Sequence, residues 1–261
     1  TNDFVIIPEI WAASCGPLCM ERGLRFGVFV QNGYYTHEDL SEAPSELSDV
    51  VYQAAQLVLT ISDDTARMVI LNHPQIDAAR IVPMQWSIND RFSFDHRHST
   101  TQAGGIISFM PRKLATHSTR VVYALRKHLP PAWRIIPIDN VSENTVAAIL
   151  SNSNIFLSFS DFEGCPLPPL EGALAGNLVI GYTGQGANEY WESPNFIKIN
   201  QGDIRSFVSE TMRAIQLMEA GVLTSDDLAP GIRRLRERFS LSAEIECLRH
   251  LHERIKATFS A

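Results

Sequence analysis

Two glutamates, Glu163 and Glu171, lie eight positions apart in a segment whose residue types suit the binding of hydroxyl and phosphate groups. Glu163 follows an apolar run that ends at Phe159, and the adjacent Gly164 lets backbone amides approach a ligand closely. Prolines then fix the start of the helix that carries Glu171. Such carboxylates accept hydrogen bonds from sugar and ribose hydroxyls. The amides and the partial positive charge at the helix start suit phosphate oxygens.

Apolar runs bounded by turn residues alternate with amphipathic stretches and predict the elements that hold this segment. In the first part of the chain, strands are predicted at 4–7, 26–30, 57–61 and 80–84, with helices at 45–56 and 62–71. Continuous apolar strands that alternate with helices indicate a parallel sheet covered on both faces.

A polar stretch at 89–105 predicts a linker between two domains, and the α/β pattern restarts after it. Strands are predicted at 105–109, 133–138, 155–159 and 178–180, with helices at 118–128, 142–150, 170–175, 203–220 and 240–259. Ligands of parallel sheets bind at the carboxyl ends of the strands, so the loops after these strands are the places for a site.

The acid pair resembles the donor motif of the retaining glycosyltransferases with the GT-B fold, family GT4. The resemblance rests on Glu163 and Glu171 together with Gly164, Pro166, Pro168, Gly176 and the apolar run 178–180. Three further stretches are similar to other parts of that family, so the resemblance covers most of the chain: 57–71, 81–92 and 233–240.

The resemblance implies an α/β fold of two Rossmann-like domains that face each other (GT-B type), the first one incomplete. Residues 1–95 would form part of an acceptor-side domain, and 104–235 the domain that binds the nucleotide sugar. Residues 236–261 would form a C-terminal helix that packs back on the first domain.

The resemblance also assigns roles to residues. Glu163 would contact the donor sugar and Glu171 the ribose, while Arg112 and Lys113 would hold the diphosphate; Glu163, Arg112 and Lys113 form the predicted catalytic set. The remaining predicted donor-binding residues come from the same loops: Gly164, Cys165, Pro166, Leu167, Asp139, Gly186 and Glu189. Glu189 is weighed equally as an acid that stabilises the start of a helix.

The implied activity is transfer of a sugar from a nucleotide-sugar donor to a saccharide or another hydroxyl acceptor, with retention and without a metal ion or cofactor. The alternative is a module that binds the donor and does not turn it over, because Glu9 and Asn32 stand where the family commonly carries histidines. A third hypothesis, a nicotinamide site at 184–189, is weaker because this stretch lacks the third glycine of a dinucleotide signature.

The charge and composition of the chain argue against some classes of binding partner. The net charge of −7 argues against nucleic acid as the main partner, since binding phosphates along a strand needs a basic surface. No apolar run approaches the roughly 18 residues of a membrane span, and no signal-peptide pattern is present, which predicts a cytoplasmic protein. An arginine-rich stretch at 233–238 is interpreted as a solvated helix face, with peripheral membrane contact as the alternative.

Overall fold

The first α/β unit is built around a parallel sheet of four strands. The structure, a computed structural model, describes residues 3–36, 46–94 and 104–260. The strands are β1 (Phe4–Pro8), β2 (Arg25–Val30), β3 (Leu57–Thr60) and β4 (Ile81–Pro83), and they lie in the order β1-β2-β3-β4. The helices of this unit are α1 (Ala12–Glu21), α2 (Glu46–Ala54) and α3 (Asp63–Asn72).

The second unit is built around a parallel sheet of five strands in the order β6-β5-β7-β8-β9. Its strands are β5 (Gly105–Phe109), β6 (Trp133–Pro137), β7 (Ile155–Glu163), β8 (Leu178–Gln185) and β9 (Phe196–Lys198). Its helices are α4 (Ala115–His128), α5 (Glu143–Ser151), α6 (Leu167–Leu174), α7 (Ile204–Glu219) and α8 (Ser225–Arg238). The predicted fold class, α/β with two parallel sheets, is confirmed.

Helices cover the strands, which explains why the strands read as continuous apolar runs. All four residues of β3 are buried, and the first six of β7 are buried as well. The last helix, α9 (Leu241–Ser260), lies on the first sheet, where Leu251 packs with Leu57, Leu59 and Val82. The chain therefore returns to its first unit after completing the second.

Several element bounds differ from the sequence prediction. β7 continues four residues past the predicted end at Phe159, because its last residues pair with β8 beyond an irregularity in the register. The pattern did not reveal α1, which contains Gly16 and Pro17, and it missed the three-residue β9. The predicted boundary at 235 falls inside α8, which runs to Arg238.

The structure describes the two ends of the predicted linker at 89–105. Asp90–Phe92 form a short 3-10 turn, and Phe92 is buried in the core of the second unit. Residues 95–103 of the predicted linker lie outside the described residues.

Three arginines of α8, Arg234, Arg236 and Arg238, make contacts within the protein, so the helix face at 233–238 is not purely solvated. Arg234 donates to the backbone oxygen of Ser193 at 3.2 Å, and Arg236 donates to the hydroxyl of Ser93 at 2.6 Å. Within the described ranges, no helix combines the length and the apolar character that crossing a membrane requires.

Candidate functional site

The carboxyl ends of the two sheets meet at β2 and β7. The side-chain amide of Asn32, just after β2, donates to the backbone oxygen of Phe162 in β7 at 2.9 Å. A Cβ atom on Gly164 would lie 2.1 Å from the backbone oxygen of Gln31, so only glycine fits between the two chain segments. The end of β7 therefore lies directly against the end of β2.

A second contact joins the end of β8 to the start of α3. Oε2 of Glu189 accepts a hydrogen bond from the backbone N–H of Asp63 at 2.8 Å, and its other oxygen pairs with Arg238. One oxygen of Glu189 thus joins the two units, and the other pairs with Arg238 within the second unit. This arrangement caps a helix of the first unit and leaves neither oxygen for a donor in this state.

These two contacts define which side of the cleft stays accessible. In the first sheet β1 lies beyond β2, and in the second sheet β5 lies beyond β7, so the loops after β1 and β5 share one side. Ile10 and Trp11, after β1, are 52% and 56% exposed. The Arg112 side chain, after β5, is 83% exposed. A ligand can therefore enter between these two loops.

Glu163 and Lys113 form the central ion pair of this cleft. Nζ of Lys113, in the loop after β5, lies 3.0 Å from Oε2 of Glu163 at the end of β7. Oε1 of Glu163 is buried and has no hydrogen-bond partner among the residues that the structure describes. A buried acceptor without a donor is rare in folded proteins, and a ligand hydroxyl would satisfy it.

Arg112 and Asp139 form a neighbouring pair at the rim of the cleft. Nε of Arg112 lies 3.2 Å from Oδ1 of Asp139, in the loop after β6. Both side chains are exposed, so the pair contributes little to stability and can open readily. An anion that enters the cleft can therefore recruit Arg112.

Glu171 lies in α6 and is largely shielded from water. Burial raises the pKa of its carboxyl to about 7, and the negative charge of Glu143 adds to the shift. Glu143 is itself paired with Arg91 at 2.9 Å. A carboxyl with this pKa is ready to gain hydrogen-bond donors such as hydroxyl groups.

The start of α6 offers fewer amides than the sequence predicts. The helix begins at Leu167 rather than at 170, so Pro168 and Pro169 occupy its first turn. Proline has no backbone N–H, and of these three residues only Leu167 has one to give. Helix α6 can therefore give fewer hydrogen bonds to a phosphate than the sequence predicts, and more of the binding must come from cationic side chains.

Three other predicted residues, Cys165, Pro166 and Gly186, pack or hydrogen-bond within the protein near the end of β7. Burial raises the pKa of the Cys165 thiol to about 12, so this cysteine is a packing residue and not a nucleophile. The backbone oxygen of Pro166 accepts a hydrogen bond from the Tyr190 hydroxyl at 2.6 Å. A Cβ atom on Gly186 would lie 1.9 Å from the backbone oxygen of Gly164, so Gly186 lets the ends of β8 and β7 approach each other.

Another cavity lies far from these residues. It measures about 560 Å³ and is lined by Trp133, Asn154 and Glu219, at the amino ends of β6 and β7. Ligands of parallel sheets bind at the carboxyl ends, so this cavity is not the candidate site. No three histidine, cysteine, aspartate or glutamate side chains within 3–36, 46–94 and 104–260 cluster as metal ligands.

Solved structures match the chain over nearly its whole length, whereas no protein-family model and no curated protein matches it. A glycosyltransferase from Rickettsia africae ESF-5 is 13% identical with a TM-score of 0.66, over 95% of this chain and 81% of that one. TarM is 15% identical with a TM-score of 0.67, over 96% of this chain and 55% of that one, so this chain spans about half of TarM. Anabaena HepE in complex with UDP-glucose is 10% identical with a TM-score of 0.74, over 95% of this chain and 78% of that one.

The chain has the fold of the GT-B glycosyltransferases. Its sheets of four and five parallel strands match those structures, and identities of 10–15% support the fold alone. In the GT-B fold of this chain, the predicted residues separate into two groups. Lys113 and Glu163 meet at the ends of β5 and β7, whereas Gly164 and Glu189 contact the first unit.

The sequence analysis names Asn32 only as standing where the resembled family carries a histidine, and it assigns this residue no contact in the cleft. In the structure Asn32 starts a turn, since its Oδ1 accepts from the backbone N–H of Tyr34 at 3.0 Å. The same side chain also reaches Phe162, which is 130 positions away in sequence. A contact across two domains leaves no periodic signal in the sequence.

Proposed function

We propose that this chain binds a nucleotide sugar between its two sheets and transfers the sugar to an acceptor hydroxyl with retention. One observation supports the proposal above the others. Glu163, at the end of β7, has one carboxylate oxygen on Lys113 and the other buried without a donor among the described residues. A cation and a hydrogen-bond acceptor side by side match a ligand in which a phosphate adjoins a hydroxyl-rich ring.

Lys113 and Arg112 would hold the donor diphosphate. Both follow β5, and each is paired with a carboxylate that a diphosphate can outcompete because it carries more charge. The first turn of α6 offers only the Leu167 amide among its first three residues, so the two cations would carry most of the binding of the phosphates. They would also stabilise the charge that develops on the nucleoside diphosphate as it leaves.

Release of Lys113 to the diphosphate would free Glu163 for the donor sugar. Glu163 could then accept hydrogen bonds from sugar hydroxyls through both oxygens, including the one that has no donor in the free protein among the described residues. Glu171, which lies eight positions further along in α6, would accept hydrogen bonds from the two hydroxyls of the ribose. Hydrogen bonds from these hydroxyls favour the charged form of a carboxyl whose pKa is about 7 in the free protein.

Support also comes from the structures that share the fold. HepE was solved with UDP-glucose, and it aligns with this chain at a TM-score of 0.74. The acceptor hydroxyl would approach from the accessible side of the cleft, between the loops after β1 and β5. Retention and independence from metal ions rest on the family resemblance. A module that binds the donor without transfer is the second candidate, because Glu9 and Asn32 stand where the family carries histidines.

Transfer can be tested by measuring release of the nucleoside diphosphate from a panel of nucleotide sugars with saccharide acceptors. The anomeric configuration of the product, read by NMR, tests retention. We expect Lys113→Met to lower kcat by about 100-fold, because it removes a cation that stabilises the leaving group. The matched control is Lys127→Met, since Lys127 lies on α4 and its ammonium packs over the Tyr123 ring.

Either of two results would count against transfer as proposed. Equal turnover by wild type and Lys113→Met would remove the lysine from the mechanism. Donor binding without release of nucleoside diphosphate, with every acceptor tried, would favour the non-catalytic module.

A further inference from the structure

We infer that Asn32 is a positioning residue that places Glu163 for the donor sugar, an inference that rests on the proposed function. Asn32 belongs to the first unit and Glu163 to the second. The link between them is the hydrogen bond from the Asn32 side-chain amide to the backbone oxygen of Phe162, the residue directly before Glu163.

Both polar atoms of the Asn32 side chain have a partner. Oδ1 accepts from the backbone N–H of Tyr34 at 3.0 Å, and Nδ2 donates to Phe162 at 2.9 Å. The orientation of the amide is unambiguous, because the N–H of Tyr34 can only donate and the carbonyl of Phe162 can only accept. Oε1 of the buried Glu9 accepts from the backbone N–H of Asn32 at 3.0 Å, which holds the residue in place.

The first unit holds Glu163 from both sides. Phe162 before it accepts from Asn32 and packs its ring against Tyr34, with 5.0 Å between the ring centroids. Gly164 after it lies against the backbone oxygen of Gln31. The backbone on either side of the carboxylate is therefore fixed by the end of β2.

This arrangement makes the position of Glu163 depend on contact between the two units. A shift of about 1 Å at a group that orients a reactant can cost a large part of a rate. Lys113 and Glu171 belong wholly to the second unit, so the diphosphate and the ribose would not depend on Asn32. Loss of the Asn32 contact should therefore weaken recognition of the sugar and spare the nucleotide.

The test is Asn32→Asp, which keeps the oxygen that accepts from Tyr34 and replaces the donor to Phe162 with a second oxygen that cannot donate to the Phe162 carbonyl. The new charge would lie near Glu9, so the same change is also made in a Glu9→Gln background. That double variant keeps the acceptor for the backbone N–H of position 32 and the net charge of the wild type. Calorimetric titration gives Kd for a nucleoside diphosphate and for the corresponding nucleotide sugar.

In both the single and the double variant, we expect the affinity for the nucleotide sugar to fall by about tenfold relative to the affinity for the nucleoside diphosphate. This is the effect expected from the loss of one hydrogen bond. The affinity for the nucleoside diphosphate should stay within about twofold of wild type. Glu163→Gln should shift the ratio in the same direction. The matched control is Asn72→Asp, because Asn72 donates to Gly33 and Thr36 entirely within the first unit.

The outcomes separate this inference from the function on which it rests. A folded wild type that binds no nucleotide contradicts both. A wild type that binds the nucleotide sugar, with an unchanged ratio in Asn32→Asp, overturns the role of Asn32 alone. An equal shift in Asn72→Asp, or no shift in Glu163→Gln, would also overturn it, because the effect would then not run through the donor-sugar contact.

Discussion

Burial of Glu171 in α6 couples the stability of the protein to pH. Its pKa rises from 4.5 to about 7 on folding, so between these values the folded chain holds a proton that the unfolded chain has released. The contribution of Glu171 to the free energy of unfolding therefore falls as pH rises from about 4.5 to about 7, and it is constant above that range.

Chemical denaturation across pH 4–8 measures this effect against Glu171→Gln. We expect the difference in unfolding free energy, wild type minus variant, to decrease through this window and then to level off. Glu246→Gln, at an exposed carboxylate on α9, corrects for the loss of one charge. A difference that is flat between pH 4.5 and 7 would show that Glu171 is solvated in the folded protein.

At the scale of residues, the sequence predicts a set of site residues but not the contacts between them. Glu163 and Lys113 could be predicted as donor-site residues from the family resemblance, and the structure brings them within 3.0 Å of each other. Their pairing with each other, and that of Arg112 with Asp139, depends on how neighbouring strands align. Sequence periodicity carries no information about that alignment. The sequence does not decide whether Glu189 binds the donor or stabilises the start of a helix. Its contact with the first residue of α3 favours the second role.

Helix α9 is the element that ties the end of the chain to its beginning. Leu251 is 5% exposed and packs on β3 and β4, whereas Leu248 on the same helix is 48% exposed. Leu251→Ala should lower the free energy of unfolding by about 2–4 kcal/mol, since it leaves a cavity against the first sheet. The matched control Leu248→Ala should cost about 0.5 kcal/mol or less. Equal losses in the two variants would contradict this packing.

Element types were more predictable than element ends. The buried strands show as apolar runs, so most strands and helices were predicted near their observed places. α6 begins three residues early, and this changes the chemistry, because Pro168 and Pro169 then occupy the turn that was expected to offer amides. α1 was missed because Gly16 and Pro17 interrupt its pattern, although Gly16 packs closely against Val51.

At the scale of the whole molecule, the two units touch where β2 and β7 end and where the residues after β8 meet the start of α3. These contacts leave the loops after β1 and β5 accessible. The sequence predicted two α/β units that face each other but not which strand ends meet. That information lies in single polar residues such as Asn32 and Glu189, whose partners are more than a hundred positions away. In the proposed function, the second unit would therefore bind the donor and the first unit would control its orientation.

Calorimetric titration of the purified chain tests the proposed function most directly. The ligands are UDP, GDP, ADP, dTDP and NAD, followed by the sugar conjugates of the nucleotide that binds. We expect one nucleoside diphosphate to bind and its sugar conjugate to bind more tightly. Glu163→Gln should remove this added affinity, while the nucleoside diphosphate itself still binds. Binding of NAD alone, or of no nucleotide by a folded sample, would contradict the proposed function.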